Sequence, residues 1–576
     1  MQNIENIRHS LSHLLATAVL EIYPKTKLGM GPAIENGFYY DFQMAKPLEE
    51  KELEKIEGKM KELISQDQKF VKKNITKLAA KKLFNDQPYK LELIKDLPGK
   101  TVSIYTSGNF TDLCKGPHIK STKEIAPNSF KLTRIAGAYW KSEEKNKMLT
   151  RIYGLAFNTE KELMAYIKMM EEAEKRDHRK LGKELDLFCF SDLVGPGLPM
   201  FTPKGTILKD ELQKEVERIC RDYGFQKVMT PHLAKIDLYE ISGHAKKFAD
   251  ELFHVTSKKG HKFVMKPVQC PHQTQIYASR PRSYKELPIR YMESEKQYRA
   301  EKAGEVGGLN RVYAITVEDG HTFCTRDQVK DEIKIMVEII KDFYTSIGLW
   351  GNHWVSLSVR DDDFSKYIGE KKDWDLCEKI LKEVSDEMGL KAKRCEGEAA
   401  LYGPKLDFMF RDSMGKEIQI PTVQIDFATP QKFKLMYTDN DGKEKNPVMV
   451  HRAILGSYER FMALIIEHFA GAFPLWLSPI QVAVIPISEK HDSYAKELEK
   501  ELKRNDIRVE LKNENETLGK KIREAEMQKT PYLLIVGDKE VEAKNVSMRE
   551  RGKGDAGTMA LDAFIGKVKK EVEDKK

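Results

Sequence analysis

The spacing of apolar positions changes along the chain, and each change marks an element. In NIRHSLSHLLATAVLEIY, Ile7, Leu11, Leu14, Leu15 and Ala18 recur at helical spacing, which predicts a helix beginning within the first ten residues. His9 and His13 lie one turn apart on its other side, where they either face solvent or line a cleft. A charged helix follows near 48–66, among short strand-like runs reaching to about residue 155. Residues 159–184 (TEKELMAYIKMMEEAEKRDHRKLGKE) read as one polar linking helix. Further on, two-residue alternation puts Arg299 and Glu301 on one strand face, and likewise Ile315, Val317, Asp319 and His321. Gly456-Ser457 opens a helix with Arg460 in its first turn and Phe461, Ile465, Ile466 and Phe469 as its apolar face. The last hundred residues alternate the strand runs IQVAVIPI and PYLLIVG with helices, the pattern of a separate α/β domain.

Composition narrows the class. A chain of 576 residues holds roughly three or four domains. The hydrophobic fraction of 40% suffices for ordinary cores, and 32% charged residues suit a water-facing surface. Net charge +8 fits a polyanionic partner and equally a mildly basic enzyme. Seven scattered cysteines, an odd number, argue for a reducing compartment rather than a disulfide framework. The N-terminus has no signal-peptide pattern and no apolar run is long enough to cross a bilayer, so a cytoplasmic protein with no membrane partner is expected.

The chemistry concentrates in a few strings. Cys270 in KPVQCPHQ, His321 in EDGHTFC and His451 in VHRAILGSYERF offer a thiolate and two imidazoles, a three-ligand zinc set with the fourth position open. An isolated cysteine is more often a small buried hydrophobe, and spacing this wide diagnoses nothing by itself. Arg299 stands before a Gly-rich turn and Arg460 near a helix start, which suggests two cationic grips on one polyanion such as ATP. In the N-terminal part, TDLCKGPHI adds Asp112, Cys114 and His118 to His9 and His13. The pairs H-x₃-H and C-x₃-H also form a zinc pattern in the abstract.

Arg299 in Y-R-x-E resembles motif 2 of the class II aminoacyl-tRNA synthetases, Arg460 in G-S-Y-E-R resembles motif 3, and the segment to Thr230-Pro231 resembles motif 1. With Cys270, His321 and His451 the resemblance narrows to the threonyl-tRNA synthetases. It runs in order through GPAIENGFYYDF, DLCKGPH, KNKMLTRIYG, RDHRKLGKELDLF, LYGPKLDF and GDKEVE. The resemblance implies an α+β multidomain protein: an editing domain over 1–158, a linker helix over 159–184, a class II catalytic domain around an antiparallel sheet over 185–477, and an anticodon-binding α/β domain over 478–576. The bacterial family usually carries a ubiquitin-like domain ahead of the editing domain, which is expected to be absent here.

By the same resemblance, Arg299 grips the α-phosphate of ATP, Glu301 accepts from the adenine amino group, and Arg311 and Arg460 hold the rest of the nucleotide with Mg²⁺. One Zn²⁺ per subunit would sit on Cys270, His321 and His451 and take the amine and hydroxyl of L-threonine. Asp319 is placed to accept from that hydroxyl, and Tyr402, Gln424 and Gln419 resemble further pocket residues. Gln419 and Gln424 are an odd number apart, so a bulge at Pro421 is needed to give them a common face. Valine lacks the hydroxyl and is rejected; serine keeps it and differs only by a methyl, worth about 1–3 kcal/mol in a pocket. A hydrolytic site for seryl-tRNA is therefore expected, and the resemblance assigns it to His9, His13, Asp112, Cys114 and His118, with Lys90 a further candidate, and without a metal. His244, Glu540 and Arg549 resemble tRNA-contacting positions, and motif 1 implies a homodimer.

Several positions depart from the family pattern. Ile315 replaces an aromatic that stacks on adenine, Val317 an amide, and Gln269, His272 and Gln273 stand for the usual Asn, Gly and His. Ile420-Pro421 is atypical, and Ala245 replaces an aromatic. Two alternatives follow: a noncatalytic paralogue that binds tRNA or a messenger mimic, favoured only by Ile315 and Val317, and a class II enzyme for serine or proline, which Cys270, His451 and Asp319 argue against.

Overall fold

A computed structural model describes residues 4–143, 145–351, 353–411, 415 and 417–576. The chain forms two compact units, Met1–Glu172 and Ala173–Lys576.

In the first unit, helix Ile4–Ile22 buries the expected stripe, but Ser10, Ser12, His13 and Ala16 are buried as well. The stripe packs with helix Leu53–Ser65 and strand Gly37–Gln43, while the segment around Cys114 and His118 covers the other side. His13 thus lines a closed cleft rather than solvent. Strands Gly37–Gln43, Met148–Ala156 and Phe130–Tyr139 form an antiparallel sheet. A separate three-stranded sheet, Val71–Thr76, Thr101–Ser107 and Phe110–Leu113, carries the Asp112–Cys114 stretch at its edge.

The single polar helix expected over 159–184 is two helices, Glu160–Arg176 and His178–Glu184. Asp177 breaks it by capping the second with its carboxylate, which accepts from the Arg179 N–H.

The second unit is built on an eight-stranded sheet. Its inner six strands are antiparallel, in the order Ile289–Tyr298, Ala314–Cys324, Val448–Ser457, Glu417–Asp426, Lys405–Arg411 and His353–Val359. Short parallel strands, Gln226–Lys227 and Lys393–Glu396, close the two edges. Helices Val329–Ser346 and Tyr458–His468 bury their apolar faces in the same core as this sheet. Two irregularities shape it. Between Gln419 and Thr422 one extra residue sits opposite Asp407–Met409, so a bulge does fall at Ile420-Pro421. Between Ala453 and Ser457 two extra residues sit opposite Val317–Asp319, with Gly456 at φ +62° absorbing the turn into the next helix.

The C-terminal stretch matches the expected strand–helix alternation through parallel strands Val482–Pro486, Val509–Leu511 and Tyr532–Val536. It then departs: a short helix Asp538–Ala543 and an antiparallel hairpin, Asn545–Glu550 with Gly554–Ala560, precede the last helix, so the sheet is mixed. The hairpin strands are half exposed, and their weak apolar alternation hid them.

Candidate functional site

Two strands and one helix start bring the scattered ligand residues together. His321 and His451 face each other directly across adjacent strands, and Gln424 is opposite His451 on the next. Cys270 is the first residue of helix Cys270–Ala278, where Pro271 suits the first turn. The three donor atoms lie within 4.8 Å of one another and all three residues are buried. Burial pushes the Cys270 thiol well up and the His321 imidazole well down from their usual values. A thiol and two imidazoles gathered away from water are a poor hydrophobic core and a good cation site.

The surrounding bonds agree. Among the described residues, His321 Nε2 is buried without a hydrogen-bond partner, while its Nδ1 lies 2.8 Å from Gln273 Oε1. His451 Nε2 lies 3.0 Å from the fully buried Asp426 carboxylate, leaving Nδ1. Histidine ligands commonly hold their second nitrogen in this way. The donor set therefore fits a metal ion.

Asp319 lies 3.8 Å from His321 Nε2. Burial, opposed by the His451 charge, pushes its carboxyl up to about 7. Tyr402 places its ring 5.3 Å from that of His451. The loop carrying Tyr402 approaches the sheet at Gly403, where a Cβ would lie 1.8 Å from the Ile425 carbonyl, and the Gln424 amide donates to the Gly403 carbonyl at 3.3 Å. Gln419 goes elsewhere: it is exposed and donates to Asp407 at 2.6 Å. Asp407 also accepts from Ser358, Lys405 and Thr422.

A cavity of about 410 Å³ adjoins this cluster, with Tyr402, Arg299, His244, Phe248, Glu398 and Lys405 among its walls. Arg299 is held by the Pro267 carbonyl and Gln297, both at 3.4 Å, so the guanidinium is positioned but weakly engaged. Arg311 pairs with Glu301 at 2.8 Å and with Glu305 at 3.0 Å. Arg460 reaches solvent from the first turn of helix Tyr458–His468, capped by Ser457. Surrounding protein, then the nearby Arg311 charge, lowers its pKa, so two cations converge there. His244 is neutral: burial first, then the charges of His451, Arg299 and Lys432, lower it to about 4.

Sequence reasoning missed Asp426, Glu293 and Lys266. Asp426 had a signal, standing two residues beyond Gln424 on the same strand face. Lys266 and Glu293 are fully buried at 3.4 Å from each other, and nothing in their local sequence announces the pair.

In the first unit, His9, His13, Cys114 and His118 bring donor atoms within 4.8 Å of one another, a set that also could hold an ion. Cys114 Sγ is 3.3 Å from both His9 Nε2 and His118 Nε2. Burial pushes the thiol up to about 11 and lowers all three imidazoles, so the cluster is neutral. Beside it, Lys90 meets Asp112 at 2.5 Å with both side chains buried, and Tyr40 donates to the same carboxylate at 2.5 Å. Asp112 lies 3.9 Å from His13. Lys90 therefore joins the other five. Tyr40 was missed, although it shares the buried face of strand Gly37–Gln43 with Phe38 and Phe42, where a hydroxyl stands out.

In the C-terminal part, the Glu540 carboxylate accepts from the Gly537 N–H at 2.9 Å, and Arg549 lies 3.6 Å from Glu526.

Comparison with known proteins places the chain in a family. Residues 253–469 match the class II tRNA synthetase core domain (G, H, P, S and T), residues 481–571 an anticodon binding domain, and residues 102–153 the second additional domain of threonyl and alanyl tRNA synthetases. Threonine–tRNA ligases of Rubrobacter xylanophilus and Gloeobacter violaceus are each 45% identical over 98% of this chain, covering 88% and 92% of their own lengths. The chain belongs to the threonine–tRNA ligases. The RNA binding domain of threonyl-tRNA synthetase from Cryptosporidium parvum superposes with a TM-score of 0.65 at 34% identity, covering 69% of this chain and 98% of its own. A threonyl-tRNA synthetase from Aeropyrum pernix gives 0.61 at 27%, covering 69% of this chain and 97% of its own. Prolyl-tRNA synthetase from Cryptosporidium parvum, at 16% identity and 0.53, shares the fold alone, covering 69% of this chain and 75% of its own. The family membership settles the general class and fits the Cys–His–His group; among the described residues, no helix is long and apolar enough to cross a membrane.

Proposed function

We propose that the chain joins L-threonine to tRNA(Thr) at the expense of ATP and hydrolyses mischarged seryl-tRNA(Thr). The observation that carries this reading is the buried Cys270–His321–His451 cluster beside a cavity with Arg299 in its wall. Zn²⁺, one per subunit, is the ion suited to a thiolate and two imidazoles, and when bound it supplies Lewis-acid capture of the amine and hydroxyl of threonine. Asp319 accepts from that hydroxyl, with Tyr402 and Gln424 closing the pocket around the His451 side. Gln419, tied to Asp407, supports the pocket from a distance.

Both reactants are anionic, so activation needs charge neutralised and reacting atoms aligned. Arg299, free of any carboxylate partner among the described contacts, takes the α-phosphate. Arg311 exchanges its pairing with Glu301 and Glu305 for the nucleotide, which frees Glu301 to accept from the adenine amino group. Arg460 holds the far end, and Mg²⁺ arrives with ATP. Ile315 covers the base with aliphatic surface where an aromatic is usual, which weakens nucleotide affinity without removing it. His244, neutral in the cavity wall, faces the tRNA acceptor end.

In the first unit the neutral histidines and the Lys90–Asp112–Tyr40 group position water and the terminal ribose for hydrolysis of the seryl ester. Glu540 and Arg549 offer base-edge contacts to the anticodon loop once released from their in-chain partners. The domain limits 1–158, 159–184, 185–477 and 478–576 fit these roles. We place the enzyme in the cytoplasm, as a homodimer through the motif 1 region, where Met229 is 78% exposed. Charging of tRNA(Thr) with threonine, valine and serine, followed by release of the ester from seryl-tRNA(Thr), tests the whole reading. Threonyl product, no valyl product and rapid loss of seryl product are expected; equal stability of seryl and threonyl esters contradicts the editing assignment.

A further inference from the structure

We propose that Gln273 is a positioning residue that sets which nitrogen of His321 is offered to the metal. The inference rests on the metal reading of the Cys270–His321–His451 cluster.

The argument is one of donors and acceptors. Gln273 Nε2 donates to Glu293 Oε2 at 3.3 Å. A carboxylate only accepts, so it turns the amide with its NH₂ toward Glu293 and its oxygen toward His321. That oxygen lies 2.8 Å from His321 Nδ1 and also only accepts. Nδ1 must therefore carry the proton, and a neutral imidazole carries one. Nε2 is left with a bare lone pair, buried and without a protein hydrogen-bond partner among the described residues. Glu293 itself cannot swing: it accepts from the Thr230 N–H at 2.6 Å, the Thr230 hydroxyl at 2.8 Å and the Lys266 ammonium at 3.4 Å, all buried. A relay of fixed polarity thus runs from Lys266 and Thr230 through Glu293 and Gln273 to the ligand.

Two features make the assignment specific. Gln273 stands three residues after Cys270, so one helix face delivers both the thiolate and the group that orients the facing imidazole. His451 uses the opposite nitrogen for support, Nε2 on Asp426, so the two histidines present different ring atoms and cannot exchange roles. A histidine at 273, usual in the family, accepts or donates at either ring position; the Gln–Glu pair removes that choice.

The test is zinc affinity of the full-length chain, read by chelator competition, together with the visible spectrum of the Co²⁺-substituted protein. Q273M keeps length and loses the acceptor, and is expected to weaken Zn²⁺ binding about 10–100-fold and to alter the Co²⁺ spectrum, with the chelated protein still folded. The exchange pair Q273E/E293Q keeps an acceptor toward His321 and a donor between the two side chains, and is expected to restore affinity to nearly that of the unaltered chain. Should Q273M misfold, Q273N, which withdraws the oxygen by one methylene, is expected to weaken binding in the same direction. Folded Q273M or Q273N that binds Zn²⁺ as tightly as the unaltered chain overturns the proposal, as does failure of the exchange pair to recover. If the unaltered chain itself binds no Zn²⁺, the metal reading falls first, and the inference with it.

Discussion

Asp319 holds its carboxylate in a place that disfavours charge, since burial raises its pKa to about 7, and it lies within 3.8 Å of a metal-type ligand. Such a group is costly to keep unless a substrate hydroxyl or a cation answers it. We expect D319A to fold normally and lose at least about 100-fold in threonine-dependent activation, the scale of losing one preorganised polar contact; steady-state rates with threonine check this. Lys90 and Asp112 make a second test, because each is buried against the other. K90M leaves an unpaired buried carboxylate and is expected to destabilise the folded chain by about 3–5 kcal/mol, measured by urea unfolding, while K90M combined with D112N loses less. At this scale the sequence was informative where side-chain chemistry is rare in context: Cys270, His321 and His451 converge on one cluster, and His9, His13, Cys114 and His118, with Asp112 beside His13, on another. It was silent on Glu293 and Lys266, whose pairing joins strand Ile289–Tyr298 to a loop 27 positions earlier and has no local pattern.

Elements were legible where period and caps agree. The helix after Ser457 begins where a Ser followed by a charged first turn says it must, with the hydroxyl accepting from the Arg460 N–H. S457A should cost about 1 kcal/mol, seen as a lowered unfolding midpoint, and should loosen Arg460 enough to raise the KM for ATP. Pro421 gave away its bulge because a proline interrupts the ladder of a central strand. Asp177 gave no such warning: an Asp inside a highly charged run looks like any other solvated residue until its carboxylate caps a new helix. The hairpin of 545–560 was lost for a related reason, since half-exposed strands carry no clean alternation.

Over the whole molecule, order in the chain conveyed more than any single motif: the matched stretches 102–153, 253–469 and 481–571 fall in the sequence of editing, catalytic and anticodon-binding segments. What lay outside reach was how strands distant in sequence pair, for the sheet order interleaves residues 226 to 457 and only long-range packing chooses it. On the proposed homodimer through the motif 1 region, the exposed Met229 lies next to Thr230-Pro231: M229D should shift the chain toward the monomer in sedimentation experiments without unfolding it. The most direct test of the account is ATP–pyrophosphate exchange on metal-quantified protein, with threonine, serine and valine, before and after zinc removal. Exchange with threonine, weaker exchange with serine, almost none with valine, and loss on chelation with recovery on Zn²⁺ return are predicted; a folded, zinc-loaded protein inert with all three amino acids would contradict it.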